Sequence, residues 1–191
     1  IKNFMADTLS LGIDKLKSAY AAILPNNSNP KLEVVNRIVF DKWVIDRENA
    51  IGEEAHPSRV SIYEVVNEKI RSSTVLGETG SEKGVETVVQ QQLDAYNSGD
   101  IDAFMATYSD DIKLYRFPNS LMSEGKDTMR QQYGSMFTAV KDLNAEIVNR
   151  TVIGNKVIDK EKVTANGNIF YAVAIYEVTN GLISSVTFIQ E

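Results

Sequence analysis

The chain carries one pattern twice, 113 positions apart (35 to 148) and without a gap. Val35-Asn36-Arg37-Ile38-Val39 and Val44-Ile45-Asp46-Arg47-Glu48 return as Val148-Asn149-Arg150-Thr151-Val152 and Val157-Ile158-Asp159-Lys160-Glu161. At the same offset Gly12 falls on Gly125, Tyr20 on Tyr133, and Ile62-Tyr63-Glu64-Val65 on Ile175-Tyr176-Glu177-Val178. A solenoid repeats every few tens of residues; a period this long is that of a duplicated domain.

The geometry of the repeated stretch follows from its alternation. In the second copy Val148–Ile153 and Val157–Val163 alternate as strands do, and Gly154-Asn155 between them is hairpin-turn chemistry. A two-residue turn pairs Ile153 with Lys156, and so Arg150 with Asp159. One face then carries Val148, Arg150, Val152, Val157, Asp159 and Glu161. The same face of the first copy carries Val35, Arg37, Val39, Val44, Asp46 and Glu48, identical at every position. The opposite face differs, with Ile38 against Thr151 and Asn49 against Lys162. The retained face is therefore expected to hold the structural or chemical work. Charges among valines imply a half-buried ionic cluster, in which Arg150 meets Asp159 or Glu161 and Arg37 meets Asp46 or Glu48. Such a cluster is either a structural pair or a clamp and acid–base group inside a pocket.

The composition narrows the partners. A formal net charge of −6 and the absence of any Lys/Arg-rich run argue against nucleic acid or an anionic membrane. No apolar run approaches spanning length. There is no Cys, and a single His, His56, in a loop-like stretch. Thiolate chemistry, disulfides and multi-His metal sites are excluded, and no cofactor is expected. A cytoplasmic location is the expectation.

Along the chain, 81–191 reads as a complete unit. Helices are expected at Val85–Asn97, Ile101–Tyr108 and Thr128–Val140, with Gly99 ending the first, Asp100 capping the second and Asp110-Asp111 closing it. Strands are expected at Ile112–Phe117 and Leu121–Glu124, then at the repeated hairpin, Ile169–Thr179 and Leu182–Gln190. Helices followed by a run of strands is an α+β arrangement with room for a conical cavity. The first unit, 1–77, contains a counterpart only of the later part: a helix at Ile13–Ile23, the hairpin, and strands at Arg59–Val66 and Lys69–Leu76. Gly80-Ser81-Glu82-Lys83-Gly84 reads as a linker. About 30 further residues before Ile1 are expected, matching Glu82–Lys113; otherwise Tyr20, Ile23, Val39 and Val44 would line an open trough.

Val88-Val89-Gln90 through Asn97-Ser98-Gly99-Asp100-Ile101-Asp102, then Tyr108-Ser109-Asp110-Asp111 and the later Glu124-Gly125-Lys126, resembles nuclear transport factor 2-like domains. That superfamily includes SnoaL-like polyketide cyclases and ketosteroid isomerases. The resemblance implies two cone-shaped α+β units, each a mainly antiparallel sheet on helices, paired through their sheets as an intramolecular pseudo-dimer; a further homodimer is also compatible. It implies a small-molecule ligand. The position of the isomerases' carboxylate base falls here on Arg116, that of their Tyr donor on Gln92, and that of their second donor on Tyr176. With that base missing, the first expectation is a binding protein for an apolar or aromatic ligand. The second is an isomerase- or cyclase-type enzyme using Asp159 or Glu161 as base, Arg150 to orient it and Tyr176 as donor. The third is a structural or interaction module. Tyr115, Phe117, Met129, Tyr133, Phe137 and Tyr171 are candidates for an aromatic wall or plain core. Arg37, Asp46, Glu48 and Tyr63 are the first unit's counterparts of the polar set.

Overall fold

The computed structural model describes residues 13–15, 17–18, 31–51, 58–77 and 84–190. His56, Tyr20, Ile23, most of the expected first linker and the rest of the helix expected at Ile13–Ile23 lie outside them; 13–15 and 17–18 are helical. Four strands come first: β1 (Lys31–Phe40), β2 (Trp43–Ile51), β3 (Arg59–Val66) and β4 (Lys69–Gly77). Then follow α1 (Val85–Ser98), α2 (Ile101–Ala106), β5 (Tyr108–Arg116), β6 (Ser120–Glu124), α3 (Lys126–Ala139), β7 (Asn144–Ile153), β8 (Lys156–Ala165), β9 (Asn168–Thr179) and β10 (Leu182–Ile189).

The strands form two sheets, ordered β1-β2-β3-β4 and β6-β5-β10-β9-β8-β7. All neighbours are antiparallel except β5 and β10, which run parallel. The hairpin register is the one the turn dictates: Ile153 opposes Lys156, and Arg150 opposes Asp159. In the first sheet Arg37 opposes Asp46. Both hairpins have a bulge at the same place, between Val34 and Asn36 in one and between Ile147 and Asn149 in the other.

Helices cover one face of the six-stranded sheet. In α1, Val85, Val88, Val89, Gln92, Leu93 and Ala95 are buried, the stripe that helical spacing puts toward a core. Gly99 ends α1 at φ 69°, where a side chain would be strained, and its N–H reaches the carbonyls of Ala95 and Tyr96. The Asp100 carboxylate caps α2 by accepting from the N–H groups of Asp102 and Ala103. Asn97 ties α1 to β7 with two bonds, donating to the Ala145 carbonyl at 2.9 Å and accepting from its N–H at 2.7 Å.

One boundary differs from expectation. The second helix stops at Ala106, and Asp110 and Asp111 lie within β5 rather than closing a helix. The reason is tertiary. The Ile183 N–H donates to the Thr107 carbonyl at 2.9 Å, which starts the parallel β5–β10 pairing, and Tyr108 is drawn under Phe104.

The other face of the sheet is equally committed. Ile38, Phe40, Ile45, Val60, Ile62 and Leu76 of the first sheet share a buried cluster with Ile153, Ile158, Val173, Ile175 and Ile189 of the second. Phe40 and Ile153, Ile45 and Ile158, Val60 and Val173, Ile62 and Ile175, and Leu76 and Ile189 all stand 113 positions apart. Asn36 donates to the Arg150 carbonyl at 3.5 Å, and Asn149 to the Arg37 carbonyl at 3.4 Å. The face on which Ile38 and Thr151 differ is thus the contact between sheets, a correction to the expectation that the retained face alone holds structural work. On the first sheet's valine face, Val39 is 52% exposed. Among the described residues no helix is long and apolar enough to cross a membrane.

Candidate functional site

A cavity of about 290 Å³ lies between the helices and the six-stranded sheet. Leu93 and Tyr96 come from α1, Tyr133 and Met136 from α3, and Tyr108 and Leu114 from β5. Glu161 and Val163 come from β8, Phe170, Ala172 and Tyr176 from β9, and Phe188 from β10. Six of these side chains are aromatic. Glu161 is the one charged side chain among the described lining residues.

The local sequence explains why a carboxylate is held there. β8 alternates, so Val157, Asp159, Glu161 and Val163 face the helices while Ile158 faces the other sheet. Glu161 is 8% exposed. The Tyr176 hydroxyl donates to its Oε1 at 2.8 Å, the one hydrogen bond to this carboxyl among the described residues. Burial pushes the Glu161 carboxyl up to about 7; the bond from Tyr176 pulls it down, and the nearby Asp159 charge adds to the rise. Burial first and the Glu161 charge second hold the Tyr176 phenol well above its ordinary value, so it stays a donor. Burial likewise raises Tyr96, Tyr108 and Tyr133. Gln92 also lines the cavity, and its buried amide oxygen has no partner among the described residues.

Asp159 and Arg150 do not line this cavity. The guanidinium grips the Asp159 carboxylate through Nε and Nη2, both at 2.7 Å, and reaches Gln90 of α1 at 3.0 Å. Their side chains are 14% and 1% exposed. Burial, opposed by the bonds and charge of Arg150, leaves the Asp159 carboxyl above its usual value, while the bond to Asp159 raises the Arg150 guanidinium.

The first sheet repeats both couples with one difference. Arg37 grips Asp46 at 2.6 and 2.7 Å, but Arg37 is 55% exposed. Tyr63 donates to Glu48 Oε1 at 3.2 Å. Glu48 Oε2 also accepts from Arg59 at 2.6 Å and from Ser61 at 2.9 Å. The residues 113 positions on from Arg59 and Ser61 are Ala172 and Ala174, which carry no donor. The carboxylate that receives a guanidinium in the first sheet receives none in the second among the described residues, where Arg150 acts on it only at a distance.

Of the residues the sequence marks, the structure brings Glu161, Tyr176 and Tyr133 together. Phe137 packs behind Tyr133, 5.4 Å from the Phe104 ring. Met129 is plain core. Tyr115 alternates with Leu114 and so faces the other side of β5. Phe117 stacks edge-on against Trp43 at 5.0 Å, beside the contact between sheets. Tyr171 lies under the Lys160 ammonium at 5.8 Å, and its neighbour Phe170 lines the cavity instead. Arg116 is exposed. The lining residues Tyr96, Tyr108, Ala172 and Phe188 are not among the site candidates read from the sequence. The available signal was the internal comparison, because Ala172 stands where the first copy has Arg59.

No curated protein matches this sequence. Among solved structures, an uncharacterized cystatin fold protein from Novosphingobium aromaticivorans is 25% identical with a TM-score of 0.52, covering 58% of this chain and 100% of that one. An LEH-like epoxide hydrolase from M. tuberculosis is 18% identical with a TM-score of 0.50, covering 56% of this chain and 82% of that one; this likeness is one of fold. The family profile described as SnoaL-like domain matches residues 89–186, which include most of the cavity's lining and both members of its polar couple, Glu161 and Tyr176. The chain belongs to the SnoaL-like domain family.

Proposed function

We propose that this protein binds a small, largely apolar molecule in the cavity around Glu161. The observation that carries the reading is a single buried carboxyl, bonded by Tyr176, in a chamber whose other described lining is mainly apolar and aromatic, with the amides of Gln92, Gln132 and Gln190. A thermal-shift screen of monocyclic compounds tests it. Hits should raise the melting temperature of the wild type more than that of Ala172→Leu, whose added bulk intrudes on the chamber beside Glu161. Equal shifts in both proteins would refute the reading.

A second reading is isomerase- or cyclase-type acid–base chemistry on such a ligand. It is favoured by the Glu161 carboxyl, whose proton affinity near neutrality suits a group that takes and returns a proton. Glu161 would accept the proton, and the Tyr176 hydroxyl, released from the carboxylate as it is protonated, would turn to donate a hydrogen bond to the developing negative charge. Asp159, bound by Arg150 beneath α1, would act only through packing. Turnover lost in Glu161→Gln and kept in Asp159→Asn is the expected pattern.

We also read 1–77 and 81–191 as two copies of one unit that meet through their sheets as an intramolecular pseudo-dimer. The matching bulges, the equivalent apolar residues between the sheets and the reciprocal Asn36 and Asn149 bonds support it. In this reading the first unit is a structural partner, since Glu48 is already occupied by Arg59, Ser61 and Tyr63.

A further inference from the structure

We infer that the ligand of this cavity is an organic ammonium, with its N–H beside the Glu161 carboxylate and its apolar body against the aromatic walls. The inference rests on the small-molecule reading above. Its starting point is the difference between the two sheets. In the first, a carboxylate bonded by a tyrosine also receives a guanidinium from Arg59 and a hydroxyl from Ser61. In the second, the same carboxylate and tyrosine remain, while Ala172 and Ala174 remove both donors. Ala172 itself lines the cavity, so the place that the arginine takes in the first sheet is open to a ligand in the second.

Three further observations select a cation over a neutral donor. A buried carboxylate without a counter-ion is costly, and a charge-assisted bond is the strongest available compensation. Among the described residues no Lys, Arg or His lines the chamber, so nothing there competes for the carboxylate or repels a cation. Aromatic faces attract an ammonium through their quadrupoles, and Tyr96, Tyr108, Tyr133 and Phe188 border the same space. The groups that bear on Glu161 are Tyr176 on β9, Tyr96 on α1, Tyr108 on β5, Tyr133 on α3, and Asp159 and Arg150 on β8 and β7. The tyrosines stay neutral and Arg150 is held by Asp159, so Glu161 is the group that answers an incoming cation.

The test is calorimetric titration of the whole chain with 2-phenylethylamine, its neutral isostere 2-phenylethanol and the anion phenylacetate. At about pH 8 the amine should bind about tenfold or more tighter than the alcohol, the difference between a charged and a neutral hydrogen bond. At about pH 6 it should weaken by about tenfold, since only about a tenth of the carboxyl is then ionised, and binding should release a proton. Glu161→Gln should lose the preference while still binding the alcohol, which shows that it is folded. Ala172→Arg, which rebuilds the first sheet's ion pair, should exclude the amine. An alcohol that binds as tightly as the amine, or a preference that survives in Glu161→Gln, overturns the ammonium assignment and leaves the cavity reading standing. If none of the three probes binds at millimolar concentration, the cavity reading itself falls and the inference with it.

Discussion

Replacing Glu161 by Gln should stabilise the protein at alkaline pH and leave its stability unchanged in mild acid. The substitution keeps an acceptor for the Tyr176 hydroxyl and removes the charge. Burial holds the folded-state carboxyl at about 7, against an ordinary value of 4.5. A carboxyl with a raised folded-state value favours folding below its unfolded value, and that contribution is lost as pH rises through the folded one. The gap between 4.5 and about 7, at about 1.4 kcal/mol per pH unit, is roughly 3 kcal/mol. Most of the loss falls between about pH 4 and pH 7, as pH rises from the unfolded value to the folded one.

Thermal and urea melts of both proteins across that window measure it. The two curves should nearly coincide at the acid end and separate steadily, with Glu161→Gln melting roughly 6–12 °C higher at the alkaline end for a chain of this size. Asp159 also sits above its ordinary value, but its contribution is common to both proteins and cancels in the difference. A difference between the proteins that stays constant across the window would refute the claim that this carboxyl is buried without a cation.

Other outcomes follow from the same geometry. Tyr176→Phe removes the one hydrogen bond that lowers the Glu161 carboxyl, so carbon NMR titration should find it higher than about 7. Ala172→Arg should bring the same carboxyl back toward the ordinary range, as an added guanidinium would. Arg150→Met should cost about 3–5 kcal/mol because Asp159 is left charged and buried, whereas Arg37→Met should cost less, because the half-exposed Arg37 leaves water a route to the buried Asp46 carboxylate; chemical denaturation compares them. Ile175→Ala, at the contact between the sheets, should cost about 2–5 kcal/mol in the same assay.

The parts of the fold legible in the sequence are those set by local periodicity and turn chemistry. Gly154-Asn155 dictates the register that brings Arg150 opposite Asp159. Asp100 and Gly99 mark a helix start and a helix end where the structure has them. The misplaced end of the second helix shows the limit. Residues 108–111 look like a helix terminus locally, and become strand because Ile183, some seventy residues on, supplies a hydrogen bond to the Thr107 carbonyl just before them. Tyr171 shows another limit: on a strand, an error of one residue moves a side chain to the opposite face. The distinction between Asp159 and Glu161 was illegible for a related reason. Both face the helices, and only the docking of α1 over one of them leaves the other to line a chamber.

What separates the two copies was nonetheless written in the chain. Arg59 and Ser61 stand 113 positions before Ala172 and Ala174, in each sheet on the strand that pairs with the one carrying the glutamate. Read alone, an alanine at either place is an unremarkable strand residue. It acquires meaning only when Glu48 is seen to need both donors, because the same carboxylate without them is a buried charge with a single hydroxyl for company. A chain optimised for stability alone would have kept the arginine or replaced the glutamate by an apolar side chain, since either change removes the cost. On the proposed reading, a glutamate and a tyrosine without the arginine answer to a molecule that enters the chamber rather than to the fold.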